Sequence, residues 1–290
     1  MTHNIGWIGI GRMGIPMSIR LLNAGYSLTV FNRTSGKDQP LVSLGAIVAS
    51  SPAMLIQQTD VIIVMVSDDQ AVREIFTGTH GLLCTEARDK IIINMSTVSP
   101  EISREMAGLC LKQSIHYIDA PVSGSVKQAE SGELVIMTGG EDIIFNKVKP
   151  VLDHMGKLTI RVGNTGSGNA AKLAVNTLLG IISQGLAESV IFARENGIDT
   201  QDFLNIINNG AMSSAYLKIK GDAILQDRFQ AAFALKHIVK DLRLAKESGL
   251  KTPLGETAYK TYKEAESAFG EEDIIAVIKE ISKKAGTPGS

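Results

Sequence analysis

Short apolar runs alternate with longer helix-like stretches over the first 160 residues of the chain. These runs, which are rich in Ile and Val, cover residues 4–10, 27–32, 46–49, 60–66, 90–95 and 115–120. Continuous apolar strands that alternate with helices are typical of a parallel sheet covered by helices on both faces. Residues 133–140 and 157–163 are predicted to extend this sheet, in a direction that the pattern does not give.

The pattern changes after Gly168. A helical pattern runs over residues 169–195 and ends at the segment ENGID. Further helices are predicted at 199–208, 234–248, 253–268 and 272–284, and no later segment resembles a strand. We therefore predict an α/β domain over residues 1–163, a long connecting helix over 164–195 and an all-α domain over 196–290, with an irregular tail at AGTPGS.

The composition disfavours several classes of protein. A hydrophobic share of 44% and a charged share of 20% are typical of a globular chain, and a net charge of −1 gives no overall attraction to nucleic acid or to an anionic membrane. The N-terminus shows no basic leader followed by an apolar segment, and runs such as DVIIVMV are too short to cross a bilayer. We expect a cytoplasmic protein without nucleic-acid or membrane partners.

Neither the cysteines nor the histidines indicate a metal or disulfide site. Cys84 and Cys110 match no zinc pattern and are predicted to be reduced thiols in the core. The five histidines are dispersed along the chain. No metal is predicted.

A glycine-rich turn follows the first predicted strand and opens a helix. It carries Gly9, Gly11 and Gly14, with Arg12 and Met13 between the last two glycines. This G-x-G-x-x-G spacing allows a tight turn, a close approach of the backbone to a pyrophosphate and close packing of helix on strand. The helix N-terminus then offers N–H groups to the anion. The α/β domain is therefore predicted to be a Rossmann-type, doubly wound sheet that binds a dinucleotide.

The end of the second strand selects the cofactor. Enzymes that use NAD usually carry an acidic residue there, which binds the ribose 2′-hydroxyl. This chain has Asn32, Arg33 and Thr34 instead. An arginine pairs with a 2′-phosphate through charge-assisted hydrogen bonds. NADP(H) is therefore predicted; an exposed surface arginine would explain Arg33 but not the missing acid.

Later strands contribute further candidates, because ligands of open α/β sheets lie beyond the carboxyl ends of the strands. Val66, Ser67 and Thr97 follow two such strands and are predicted to line the nucleotide and nicotinamide pocket. Ser99 has a second interpretation as a helix N-cap, with Pro100 at the first helical position.

The segment DAPVSGS follows another strand. Ser123, Gly124 and Ser125 combine hydroxyl groups with a backbone that a ligand can approach closely, which suits a small carboxylate. A polar turn with a helix cap explains the same residues, and the local sequence does not decide between the two.

The segment GSGNAAKLAVN places a lysine in an otherwise apolar helix. Lys172 and Asn176 are four residues apart and share a helix face. In hydride transfer to a carbonyl, a positioned ammonium stabilises the developing oxyanion and delivers a proton. A surface lysine whose stem covers apolar neighbours is the competing interpretation.

Four motifs in order, GWIGIGRMGIPM, DAPVSGS, GSGNAAKLAVN and LKHIVKDLRLA, make nearly the whole chain resemble the β-hydroxyacid dehydrogenase family. The resemblance implies that Lys172 is the catalytic acid/base, with Asn176 beside it. It implies that Ser123 and Gly124 bind the substrate carboxylate, and that Lys240, next to Asp241, lies near the nicotinamide. It also implies dimers or tetramers, and the apolar segment LAVNTLLGIISQGLAESVIFA favours self-association.

Within that family, the sequence NRT after the second strand resembles the NADPH-using glyoxylate and succinic semialdehyde reductases, whereas the NAD-linked 3-hydroxyisobutyrate enzymes carry an acid there. We therefore expect an NADPH-dependent reductase of small aldehyde acids. Enzymes acting on 3-hydroxyisobutyrate or tartronate semialdehyde are alternatives. An imine reductase and a cofactor-binding module without catalysis are disfavoured, because both typically lack the lysine at position 172. Phe229 and Phe233 belong either to the substrate pocket or to the core.

Overall fold

A computed structural model describes residues 4–34 and 36–286 of the chain. The chain divides into two compact units, residues 1–172 and residues 173–290. Most of the predicted irregular tail, residues 287–290, lies outside the described residues.

The first unit contains a mixed sheet that is mostly parallel. Its strands are β1 (Ile5–Ile8), β2 (Leu28–Phe31), β3 (Ile47–Val48), β4 (Val61–Val64), β5 (Ile91–Asn94), β6 (His116–Asp119), β7 (Val122–Ser123), β8 (Leu134–Gly139) and β9 (Gly156–Gly163). The strand order is β3-β2-β1-β4-β5-β6-β8-β7, and β9 also pairs with β8. β1 to β6 are parallel, whereas β8 runs antiparallel to β6 and β7 and parallel to β9.

The reversal of strand order at β1, which lies between β2 and β4, places a crevice at the carboxyl ends of β1 and β4. Predicted strands 133–140 and 157–163 are confirmed as β8 and β9. The two-residue strand β7 was not predicted, since it is too short to show a period.

Helices cover both faces of this sheet. They are α1 (Gly14–Asn23), α2 (Gln39–Val42), α3 (Pro52–Gln58), α4 (Asp69–Thr77), α5 (Pro100–Leu111), α6 (Val126–Ser131) and α7 (Asp142–Leu152), with a 3₁₀ turn at Leu82–Cys84. Along β4, Val61 and Ile63 join one apolar core and Ile62 and Val64 join the other. This alternation confirms the predicted sheet with two buried faces.

The two cysteines differ in environment. Cys110 is buried, and burial raises the pKa of its thiol to about 12. Cys84 is exposed at the end of the 3₁₀ turn, so the prediction that it is a core thiol is wrong. The spacing of apolar residues does not distinguish a short turn at the surface from a buried one.

Helix α8 (Ser167–Glu195) continues from the first unit into the second. The second unit adds α9 (Thr200–Asn209), α10 (Ala215–Leu225), α11 (Leu235–Glu247), α12 (Pro253–Phe269) and α13 (Val277–Ala285), with a 3₁₀ turn at Ile274–Ala276. Between 173 and 286, the described residues form no strand beyond an isolated bridge that joins Ala234 to Asp273. The all-α character of this part of the chain is confirmed.

Helix α10 was not predicted. Its buried residues are Leu217, Lys220, Gly221 and Ile224, so a lysine and a glycine interrupt the apolar period. Lys220 pairs with Asp273 at 2.6 Å, and both side chains are buried. A buried ion pair of this kind is invisible to an argument from apolar spacing.

Helix α8 is long and apolar enough, by length and composition, to cross a membrane. Half of its most apolar window is nevertheless buried inside the protein. The core helix of a protein that does not enter a membrane satisfies the same two criteria, so α8 is weak evidence for a span.

Candidate active site

The glycine turn after β1 is too tightly packed for side chains. A Cβ on Gly9, whose φ is +99°, would lie 2.1 Å from the carbonyl oxygen of Met65. A Cβ on Gly14 would lie 2.1 Å from the carbonyl oxygen of Gly9, which also accepts a hydrogen bond from Trp7 Nε1 at 3.1 Å. The lack of side chains at Gly9 and Gly14 lets β1, the residues after β4 and the start of α1 pack closely together.

The middle of the turn is open. A Cβ on Gly11 would meet nothing within 4 Å, and Arg12 is exposed beside it. Helix α1 begins after Met13 without a side-chain cap. An open backbone turn that leads into an uncapped helix N-terminus is the arrangement that binds a pyrophosphate. The residues therefore fit a dinucleotide cofactor.

Asn32 joins the glycine turn to the loop after β2. Its Oδ1 accepts a hydrogen bond from the backbone N–H of Ile10 at 3.0 Å, and its Nδ2 donates to the carbonyl oxygen of Thr34 at 2.7 Å. Arg33 is exposed, and its Nη1 lies 3.5 Å from Glu74 Oε2. Because both partners of this pair are well exposed, it contributes little to stability and leaves the guanidinium accessible.

The ends of β4 and β5 are joined by hydrogen bonds. The backbone N–H of Val66 donates to Ser96 Oγ at 2.8 Å, and the backbone N–H of Ser96 donates to Asn94 Oδ1 at 3.1 Å. Val66 and Thr97 are half-buried beyond these strands, and Ser67 is exposed.

Ser99 is the N-cap of α5. Its Oγ accepts a hydrogen bond from the backbone N–H of Ile102 at 3.1 Å, and Pro100 is the first helical residue. The interpretation of Ser99 as a helix cap is confirmed.

The DAPVSGS segment divides into two parts. Ser125 is the N-cap residue of α6, and its backbone N–H donates to Gln128 Oε1 at 2.9 Å, which is one of the two bonds of a capping box. Ser123 ends β7 and is half-buried, and Gly124 is exposed with a φ of +140°. The cap interpretation thus accounts for Ser125, while Ser123 and Gly124 stay predicted anion-binding residues.

Asp119, the first residue of the same segment, holds the start of α8. Its side chain is fully buried, and its two oxygens accept hydrogen bonds from the backbone N–H groups of Gly166 at 2.7 Å and Asn169 at 2.8 Å. Burial raises the pKa of this carboxyl to about 6, and the hydrogen bonds from the two amides oppose that rise. Asp119 is therefore mainly ionised at neutral pH. Its role was missed in the sequence, where the only signal is an acid at the end of an apolar strand.

Asn169, in the first turn of α8, is also buried. Its Oδ1 accepts a hydrogen bond from the backbone N–H of Val98 at 3.0 Å, and its Nδ2 donates to Ser103 Oγ at 3.1 Å. These bonds join α8 to the loop after β5, which carries Thr97, and to helix α5. This residue was also missed in the sequence.

Lys172 is the last residue of the first unit and follows Asn169 by one helical turn. Its residue exposure is 9%, which is rare for lysine. The burial disfavours a solvated surface lysine and favours a chemical or structural role.

In the second unit, Asn176 and Asp241 form a buried pair. Asn176 Nδ2 donates to Asp241 Oδ2 at 2.6 Å. Lys240 Nζ lies 3.2 Å from Asp241 Oδ1, a charge contact without hydrogen-bond geometry. The structure therefore brings together three residues that the sequence analysis named, and it adds the bond between Asn176 and Asp241, which was not predicted.

Phe229 and Phe233 are half-buried and pack against the apolar core of the second unit. Lys279 Nζ lies 4.2 Å from the ring centre of Phe229, and the rings of Phe233 and His237 are 6.0 Å apart. Both phenylalanines thus take part in core packing while part of each ring stays accessible.

Within residues 4–34 and 36–286, no group of three or more His, Cys, Asp or Glu side chains is arranged to hold a metal ion.

Two family models match this chain. The model for the NAD binding domain of 6-phosphogluconate dehydrogenase matches residues 4–166. The model described as NAD-binding of NADP-dependent 3-hydroxyisobutyrate dehydrogenase matches residues 166–281. Together they span both units.

Two Arabidopsis thaliana proteins, chloroplastic glyoxylate/succinic semialdehyde reductase 2 and glyoxylate/succinic semialdehyde reductase 1, are each 34% identical to this chain. Both matches cover 96% of this chain, and they cover 79% and 98% of the two relatives, respectively.

Two solved structures share the fold. Mycobacterium tuberculosis 3-hydroxyisobutyrate dehydrogenase with L-serine matches with a TM-score of 0.90 and 27% identity, over 97% of this chain and 99% of that one. Psf3 in complex with NADP+ and 2-OPP matches with a TM-score of 0.85 and 25% identity, over 96% and 100% of the two chains. The chain belongs to the β-hydroxyacid dehydrogenase family of NAD(P)-dependent oxidoreductases.

Proposed function

We propose that the protein is an NADPH-dependent reductase that converts small aldehyde acids, such as glyoxylate and succinic semialdehyde, to hydroxy acids. The burial of Lys172 is the observation that carries the proposal, because a buried, positioned ammonium group suits proton delivery to a carbonyl oxygen. The two Arabidopsis relatives carry these substrates in their names.

The residues have distinct roles in the proposed reaction. The cofactor, when bound to the glycine turn, supplies the hydride. Ser123 and Gly124 receive the substrate carboxylate through a hydroxyl and a backbone N–H. Lys172 donates its proton to the oxygen of the aldehyde. The hydrogen bond to Asp241 fixes the orientation of the Asn176 side-chain amide. Lys240 is assigned to the nicotinamide.

Reduction needs Lys172 charged, and oxidation of the alcohol needs it neutral. Alcohol oxidation is therefore expected to improve at alkaline pH, whereas aldehyde reduction is favoured near neutrality.

The choice of NADPH rests on the loop after β2. Asn32 faces the glycine turn and offers no carboxylate to a ribose 2′-hydroxyl. Arg33 is accessible to a 2′-phosphate. Glu74 lies next to the guanidinium and would repel the same phosphate, so it is expected to moderate the preference.

A 3-hydroxyisobutyrate or tartronate semialdehyde dehydrogenase is the second candidate. The similarity in fold to the M. tuberculosis 3-hydroxyisobutyrate dehydrogenase favours it. The absence of an acid after β2 disfavours the NAD-linked form of that activity. A cofactor-binding module without catalysis would bind NADPH but show no turnover.

We further propose that the enzyme acts in the cytoplasm as a homodimer or homotetramer. Helix α8 exposes Val175, Leu178 and Phe192, the last with 68% of its surface accessible. Apolar side chains in such a row favour association with a second copy. Light scattering of the purified protein measures the number of copies.

The first experiment is steady-state reduction of glyoxylate, succinic semialdehyde and tartronate semialdehyde by the wild type and by Lys172→Ala. The variant is expected to lose about 10²- to 10⁴-fold in kcat, because it lacks the proton donor, and to keep its affinity for NADPH. Lys218→Ala, which removes an exposed lysine of α10, is the matched control and should turn over like the wild type. An undiminished kcat in Lys172→Ala would refute the assigned role.

The same assay with NADPH and NADH tests the cofactor. Arg33→Ser should raise the KM for NADPH and leave that for NADH unchanged. Glu74→Gln should act in the opposite direction and lower the KM for NADPH. Equal use of the two cofactors by the wild type would overturn the assignment of Arg33.

A further inference from the structure

Asp119 lies where three elements of the first unit meet. It is the last residue of β6, and its main chain pairs with Gly139 at the end of the antiparallel strand β8. Its carboxylate reaches the start of α8, where it accepts hydrogen bonds from the N–H groups of Gly166 and Asn169. One residue therefore joins two strands through its main chain and one helix through its side chain.

The space around this carboxylate is closed. A Cβ on Gly139 would lie 2.6 Å from Asp119 Oδ1, and a Cβ on Gly168 would lie 2.8 Å from Oδ2. At Gly168 the same Cβ would also lie 2.5 Å from the carbonyl oxygen of Met137. Any larger residue at either position would displace the carboxylate or the helix, so the position of α8 against the sheet is tightly defined.

Asn169 attaches the same helical turn at a second point. Its amide bonds to Val98 and Ser103 lie on the loop after β5 and on α5. A single attachment leaves a helix able to rotate about its axis, whereas two attachments on different elements fix both its rotation and its position along the axis. We call Asp119 and Asn169 together the α8 clasp.

Lys172 follows the clasp closely. Three residues of α-helix correspond to a rise of about 4.5 Å and a rotation of about 300°. Over so short a distance the direction of the lysine side chain is determined by the register of the first turn. Helix termini otherwise fray, because their first N–H groups lack partners within the helix.

We propose that Asp119, acting with Asn169, is a positioning residue that sets the register of α8 and thereby directs the Lys172 ammonium at the reacting oxygen. This proposal rests on the proposed function for the role of Lys172. A carboxylate suits the task because it offers two acceptor oxygens to two N–H donors. An amide of the same size offers one acceptor and turns an N–H group toward the other donor.

The test compares two matched variants, Asp119→Asn and Asp199→Asn. Asp199 is an exposed N-cap that accepts hydrogen bonds from the N–H groups of Gln201 and Asp202 at the start of α9. Both variants remove one negative charge from a helix N-terminus. Hydrogen–deuterium exchange of the peptides that cover residues 163–175 and 199–205 is measured together with kcat, KM and the Kd for NADPH.

In Asp119→Asn, the amides of the first turn of α8 are expected to exchange about tenfold faster, because the start of the helix loses one capping hydrogen bond. The kcat is expected to fall about 10- to 100-fold, because small displacements of a catalytic group are costly. The Kd for NADPH should stay within about threefold, since the glycine turn is untouched. In Asp199→Asn, exchange should rise only in α9 and kcat should not change.

Unchanged exchange at α8 in Asp119→Asn, or faster exchange with an unchanged kcat, would overturn the proposal. If Asp119→Asn does not fold, Asn169→Ala replaces it, with the same expected directions. A wild type without turnover on any aldehyde acid would instead overturn the proposed function, and the exchange experiment would then show by itself whether the clasp holds the helix.

Discussion

In each unit of the molecule a buried carboxylate accepts hydrogen bonds from nearby backbone, and the two carboxylates, Asp119 and Asp273, have different partners. In the first unit, Asp119 is held by backbone N–H groups at the start of α8. In the second unit, Asp273 pairs with the Lys220 ammonium at 2.6 Å and also accepts hydrogen bonds from the N–H groups of Ala232 and Ile275.

The difference shows what each arrangement can control. The ion pair with Lys220 balances the charge of Asp273, although burying both groups costs desolvation free energy. Removal of Lys220 alone would leave the Asp273 carboxylate buried without a counter-charge. At Asp119 the amide donors offset the desolvation of the carboxylate only in part. Burial therefore raises the pKa of this carboxyl to about 6, close to neutral pH. The ion pair of Asp273 is suited to stabilising the fold. The amide-bonded carboxylate of Asp119 couples α8 to the sheet in a way that depends on its protonation.

The largest effect is expected from breaking the ion pair. Lys220→Met should lower the free energy of unfolding by about 3–5 kcal/mol, because Asp273 would remain buried and charged without its partner. Urea denaturation at pH 7 measures the loss. The double variant Lys220→Met/Asp273→Asn should recover a large part of it, and Lys218→Met, on the exposed side of the same helix, should change stability by less than about 0.5 kcal/mol.

An intermediate effect is expected from the titration of Asp119. The carboxyl binds protons more tightly in the folded state, because burial raises its pKa from the ordinary value of 3.8 to about 6, so its contribution to stability is present at low pH and is lost as the pH rises through 6. Two neighbours, Tyr117 and Cys110, stay neutral in this range because burial raises the pKa of both.

The stability of the wild type relative to Asp119→Asn should therefore fall by about 2 kcal/mol between pH 4.5 and pH 7.5. Denaturation of both proteins at the two pH values measures the difference. A relative stability that rises with pH would mean that the amide bonds outweigh burial and that the carboxyl has a depressed pKa.

The smallest effect is expected at the exposed carboxylate. Asp199→Ala removes the cap of α9 and should cost about 1 kcal/mol, with no change in kcat. If Asp199→Ala lowered the free energy of unfolding as much as Lys220→Met does, burial would not explain the difference between the exposed Asp199 and the buried Asp273.

The sequence predicts most of the architecture, because most of the strands and helices carry strong periodic patterns. The buried strands of the parallel sheet and the long helix α8 follow directly from apolar spacing, and a glycine turn between a strand and a helix identifies the nucleotide end. Lys172 is visible for the same reason, since a charged residue stands out in an apolar helix.

The missed features depend on partners that are far apart in the sequence. Asp119 bonds to amides 47 and 50 residues away, and Lys220 pairs with an acid 53 residues away. Polar groups that satisfy each other across such distances leave no local period. The antiparallel direction of β8 was unreadable for a similar reason, because the connection and not the strand decides it.

The α8 clasp has a consequence for attempts to change the substrate range by directed evolution. In the proposed function Ser123 receives the substrate carboxylate, so it is the position to randomise for a new carboxylate or a longer aldehyde, and it follows Asp119 by only four positions. A library that varies the whole DAPVSGS segment would mix changes in recognition with changes in the register of a distant helix. Holding Asp119, Gly139 and Gly168 constant would allow the two effects to be selected separately.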